Sequence, residues 1–144
     1  MFFRELDPQV LVADSPMQGP DMAEAAARGV TLAVNNRPDD EEAGQWTSAD
    51  LEAAARAAGL DYLHIPVERE FSEAKVAALT EALLGAEGRV LVFCASGTRS
   101  TYLWALAQAK AGESPEALDR SARRAGYSLG PLMPWLHRAG AAPE

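Results

Sequence analysis

The sequence has one cysteine, Cys94, in 144 residues. A single thiol excludes an internal disulfide and an internal resolving thiol, so a dithiol redox cycle within the chain is ruled out. There are two histidines, and no His or Cys cluster at metal-ligand spacing, so neither a metal site nor a cofactor is expected. Positive charge is scarce. Thirteen Lys and Arg stand against 21 Asp and Glu, a net charge of −8, which argues against nucleic acid and an anionic membrane surface as partners. No apolar run reaches the length of a membrane span, and the N-terminal MFFRELDPQ lacks the apolar core of a signal peptide. A cytoplasmic protein is the expectation. Isoleucine is almost absent, with Ile65 alone, whereas 29 residues are alanine. Alanine-rich segments predict helices packed closely on a small sheet. The length predicts one domain over residues 1–144, and nothing in it reads as a repeat, linker or low-complexity tract.

The chain is organised around Arg89 to Leu106, RVLVFCASGTRSTYLWAL. Val90 to Phe93 form an apolar run into Cys94. A short loop follows, and then Leu103, Leu106 and Ala107 recur at helical spacing, which predicts strand, tight loop and helix. The loop then lies at a helix N-terminus, where unpaired N–H groups and the macrodipole favour an anion. Arg99 adds a planar donor fork suited to a tetrahedral oxyanion. The same field favours the thiolate of Cys94, and Ser100 offers it a hydroxyl. Nucleophile and oxyanion cradle, the latter from Ala95, Ser96, Gly97 and Thr98, thus share one loop. The rival reading is an inert buried cysteine at a strand end.

The remaining chain alternates between strands and helices. Two apolar segments, at Phe2–Phe3 and Val10–Ala13, each suit an edge strand. A helix follows Asp21 and is closed by Gly29. Val30 to Val34 is a strand leading into Asn35-Asn36-Arg37-Pro38-Asp39-Asp40-Glu41-Glu42. Arg37 either reaches an anionic substrate at the carboxyl end of the sheet or pairs with the acids beside it. The four acids read as a solvated loop. Thr47 or Ser48 caps a helix ended by Gly59. Asp61 to Ile65 is a strand in which His64 reads as structural. Ser72 caps the next helix. Ser114-Pro115-Glu116 restarts a helix, and Gly130-Pro131 introduces a last short one. Trp104, Tyr127 and Trp135 read as core or helix-packing residues, and Arg120, Arg123 and Arg124 as a solvated face. The pattern predicts an α/β fold with a mostly parallel sheet.

Cys-x-x-Gly-x-Arg-Ser between strand and helix resembles the active-site loop of cysteine-dependent phosphatases and of rhodanese sulfurtransferases. The loop Asn35-Asn36-Arg37-Pro38-Asp39-x-Glu41, the segment Tyr62-x-His64-Ile65-Pro66-Val67 and a Gln-x-Pro-like element at Gln18 resemble the beta-lactamase-hydrolase-like protein, phosphatase-like domain. This bacterial family is similar to dual-specificity phosphatases, and some of its members are labelled sulfur transferases. The resemblance spans about Met17 to Arg138. It implies a cysteine-phosphatase fold with about four strands and helices on both faces. It also implies Cys94 as nucleophile, Arg99 and the loop amides as oxyanion binders, and Glu68 or Glu70 where such enzymes carry their general acid; solvated charges are the alternative for those two. The arginine stands five residues after the cysteine, the rhodanese spacing, against six in tyrosine phosphatases, and Phe93 replaces their usual histidine. Three functions are therefore weighed: a phosphatase-like hydrolase, a sulfurtransferase forming a persulfide on Cys94, and a non-catalytic anion-binding module. The expected partner is a small anionic substrate, either a phosphate ester or a sulfane-sulfur donor, or a phosphorylated protein.

Overall fold

The structure is a computed structural model that describes residues 2–140. Five strands form one sheet in the order β1-β2-β5-β3-β4. They are β1 (Phe3–Glu5), β2 (Val10–Ala13), β3 (Val30–Asn35), β4 (Asp61–His64) and β5 (Arg89–Phe93). All neighbours are parallel except β1, which runs antiparallel to β2. The expectation of about four strands falls short by the three-residue β1. Its tight turn to β2 is held by Asp7, whose carboxylate accepts from the N–H groups of Gln9 and Val10. The segment Val10–Ala13 is not an edge. It lies between β1 and β5 and is buried throughout.

Successive strand residues point to opposite faces, and both faces are covered. Val90 and Val92 of β5 join Val10, Val12 and Val34 in one core, whereas Leu91 and Phe93 join Leu11, Ala13 and Ala33 in the other. Helices α1 (Asp21–Ala27) and α2 (Ser48–Ala57) cover the second face. Helices α3 (Glu73–Gly85), α4 (Thr98–Lys110), α5 (Pro115–Arg124) and α6 (Met133–Gly140) cover the first. Such double coverage explains why β5 is an unbroken apolar run rather than an alternating one.

Local chemistry sets the helix starts. The side chains of Thr47, Ser72 and Ser114 accept from Asp50, Lys75 and Ala117 N–H. Trp104 is buried and donates from Nε1 to Asp7. Trp135, expected in the packing, is 54% exposed and stacks under the Arg138 guanidinium at 4.5 Å. Arg123 pairs with Asp119 on the surface of α5. Among the described residues no helix is long and apolar enough to cross a membrane.

Candidate active site

Parallel strands end together, so the loops after β3, β4 and β5 converge. Phe93 is in register with Asn35, and Asn35 with His64. The residues that follow, Cys94, Asn36 and Ile65, therefore enter one region at the carboxyl edge, where open α/β sheets bind ligands.

Cys94 is 1% exposed. The chain turns through Gly97 (φ +95°), and the Gly97 N–H donates to Cys94 Sγ at 3.2 Å. Only glycine fits there. A Cβ would lie 2.8 Å from the Ala13 carbonyl and collide with the Tyr127 hydroxyl. Among the described residues, the N–H groups of Ala95, Ser96, Thr98, Arg99 and Ser100 meet no protein acceptor. They combine the free donors of a helix N-terminus with those of the tight loop before it.

Arg99 is held from outside the loop. Nη1 donates to Glu41 Oε2 at 2.7 Å and to the Val67 carbonyl at 2.8 Å, and Nη2 donates to Glu41 Oε1 at 3.1 Å. A guanidinium has five N–H donors. The two left over, Nε–H and one on Nη2, lie along a single edge. The Glu41 carboxylate raises the Arg99 pKa further, against burial, and the charge of Cys94 acts in the same direction. Conversely, Arg99 and, after it, Arg37 hold the Glu41 carboxyl below its ordinary range although burial opposes them.

Arg37, a candidate for substrate contact, is paired instead. It is 7% exposed, with Nε on Glu41 at 3.0 Å and Nη2 on Glu42 at 2.9 Å. A buried guanidinium requires such carboxylates. The acidic run is accordingly not just solvated loop, since Glu41 bridges two arginines. Ser100 likewise differs from expectation. Its hydroxyl donates to Asn36 Oδ1 at 2.7 Å rather than to the sulfur. Asn36 is fully buried and also donates to the Ile65 carbonyl from its side chain and to the Phe93 carbonyl from its N–H. It ties the ends of β3, β4 and β5 to α4. His64 Nε2 lies 3.0 Å from the Arg37 carbonyl, a structural contact as expected.

Glu68 and Glu70 are exposed. They follow Val67, whose carbonyl holds Arg99. Both line an open cleft of about 660 Å³ with Pro38, His64, Arg69 and Lys75. Sequence reasoning missed Glu41, Asn36 and Tyr127 as parts of the site. The first two carried a signal, because they belong to the Asn-Asn-Arg-Pro-Asp-x-Glu pattern. Tyr127 had none.

Fold and site define a class, the α/β proteins with the cysteine-phosphatase fold. A solved structure of kinase associated phosphatase, with its catalytic site cysteine replaced by serine, shares the fold (TM-score 0.71, 17% identity, 94% of this chain and 89% of that one). The particular family follows from the sequence: the chain belongs to the beta-lactamase hydrolase-like protein, phosphatase-like domain family, whose profile matches residues 2–111. It is 33% identical over 139 residues to the beta-lactamase hydrolase-like protein of Agrobacterium fabrum, covering 95% of this chain and 32% of that one. The chain thus spans about a third of that relative's length. It is also similar to a candidate phosphatase of Neisseria meningitidis of known structure (TM-score 0.86, 28% identity, 96% of this chain and 99% of that one).

Proposed function

We propose that the protein is a cysteine-dependent hydrolase of phosphate monoesters. The observation that carries this reading is the loop Cys94–Ser100, in which five N–H groups meet no protein acceptor and Arg99 keeps one donor edge uncommitted. Phosphoryl oxygens would bind the amides of Ala95, Ser96, Thr98, Arg99 and Ser100 and the Arg99 Nε–Nη2 edge, donors that need no rearrangement as charge develops. The Cys94 thiolate attacks phosphorus, forming the S–P bond as the bond to the leaving oxygen breaks. That oxygen takes a proton from the carboxyl of Glu68 or Glu70. Water then attacks the thiophosphate and gives its proton to the same carboxylate. The P–S bond breaks and the thiolate returns to the Gly97 N–H. In this scheme the Ser100 hydroxyl and the Arg37 side chain bind no substrate. Ser100 anchors the first turn of α4, and Arg37 fixes Glu41.

The test is an aryl phosphate hydrolysis assay run beside thiosulfate-to-cyanide sulfur transfer, with Cys94→Ser as blank. Phosphate release that vanishes in Cys94→Ser, in a variant that still folds, is the expected result. Thiocyanate without phosphate would replace this reading with sulfur transfer, the chemistry suggested by the short Cys-to-Arg spacing. Turnover retained by Cys94→Ser would remove the cysteine mechanism altogether.

A further inference from the structure

The geometry points to Tyr127 as a positioning residue for Cys94, acting on the sulfur through the Ser96–Gly97 peptide. The inference rests on Cys94 being the nucleophile. Tyr127 lies in the connection between α5 and α6, 31 residues from the loop it touches, and its hydroxyl donates to the Ser96 carbonyl at 2.8 Å. The Gly97 N–H donates to Cys94 Sγ at 3.2 Å. That carbonyl and that N–H are the two ends of one planar peptide unit. Phenol, peptide and sulfur therefore form a single hydrogen-bonded series. Donation into the carbonyl polarises the amide and strengthens its N–H as a donor, by roughly 10–30% per bond in such chains. It also fixes orientation, because rotating the peptide breaks both bonds at once.

The surroundings favour this arrangement. Gly97 lacks a Cβ where the Tyr127 hydroxyl sits. Tyr127 is itself anchored, with its N–H on the Ala122 carbonyl. Arg4 reaches the Ala125 carbonyl just before it and pairs with Asp14 at 2.8 Å. The hydroxyl donates only while protonated. Burial first, then the charge of Asp14, keeps it so by pushing the phenol up to about 12, although Arg4 opposes them. Arg99, from α4, and Tyr127, from the α5–α6 connection, are ionisable groups that feel the charge of Cys94.

Tyr127→Phe keeps the ring and removes only the donor. The readout is the rate of iodoacetamide alkylation across pH. It reports one thiol, because the chain has only one. The midpoint should rise by about half a unit, so that the rate on the acid side falls about threefold. The melting temperature should stay close to the parent's. Replacing the tyrosines by 3-fluorotyrosine, a stronger donor, should move the midpoint down, and this arm decides the matter if Tyr127→Phe does not fold. Profiles that superimpose on the parent's would overturn the proposal. Alkylation needs no phosphate substrate, so a failure here is read separately from a failure of the hydrolase assay.

Discussion

Arg99 shows how a residue's function depends on what it is not free to do. Three of its N–H donors are committed to Glu41 and Val67, which leaves one edge for an oxyanion and removes the rotamer freedom a long side chain would otherwise lose on binding. Glu41→Gln keeps the shape of this clamp and removes its charge. We expect kcat on an aryl phosphate to fall roughly tenfold, about 1.4 kcal/mol, with a smaller change in KM. Stability should fall by about 1–3 kcal/mol, because the buried Arg37 would keep only Glu42, which is 71% exposed, as a carboxylate partner. Steady-state kinetics and thermal denaturation of the one variant test both. The strand-loop-helix that carries Cys94, Gly97 and Arg99 was legible in the sequence because its loop is contained in seven consecutive residues. Glu41, Asn36 and Tyr127 were not, because their contacts to that loop and its helix span 58, 64 and 31 residues. For Glu41 the acids beside it further masked the one that bridges two arginines.

At the scale of elements, the strand-loop-helix unit depends on the left-handed turn at Gly97. Gly97→Ala would strain that backbone and press a methyl onto the Ala13 carbonyl and the Tyr127 hydroxyl. The expected cost is about 2 kcal/mol or more in thermal unfolding, with slowed Cys94 alkylation. An unchanged melting temperature would show that the loop has room the geometry denies. Elements were easier to anticipate than their neighbours. Helix starts were readable because Thr47, Ser72 and Ser114 act within three residues of themselves. The place of β2 was not, because its partner β5 lies some eighty residues on and an apolar tetrapeptide reads alike at the edge or inside. Trp135 was misjudged for a related reason: helical spacing marks one face of a helix, but whether its tryptophan is covered depends on the rest of the fold.

For the whole molecule, titration sets the limits of stability. Glu41 and Asp119 are held below their ordinary values by Arg99 and Arg123 respectively. For Asp14, burial works upward, but the hydrogen bonds from Arg4 and Ser15 prevail. Groups depressed in the folded state bind more protons when unfolded. Their contribution is therefore present above their ordinary values of 4.5 and 3.8 and is lost as pH falls through the folded values. Tyr127 has the opposite sign. Its contribution is present below 10.0 and is lost as pH rises toward about 12. Tyr62 is raised as well, chiefly by burial. Melting temperature against pH should therefore show a plateau that declines below about pH 4.5 and again above about pH 10. Glu41→Gln should flatten the acid side.

The strand order also bears on how the protein is made. β5 is the last of the described strands, yet it lies in the middle of the sheet, between β2 and β3. Until it emerges from the ribosome, those two strands have no common neighbour and each presents an open edge, a template for pairing with other chains. A nascent chain that stops before Phe93 cannot close its sheet. The segment that closes it delivers Cys94 in the next residue, so the sheet and the site at its edge come into being together.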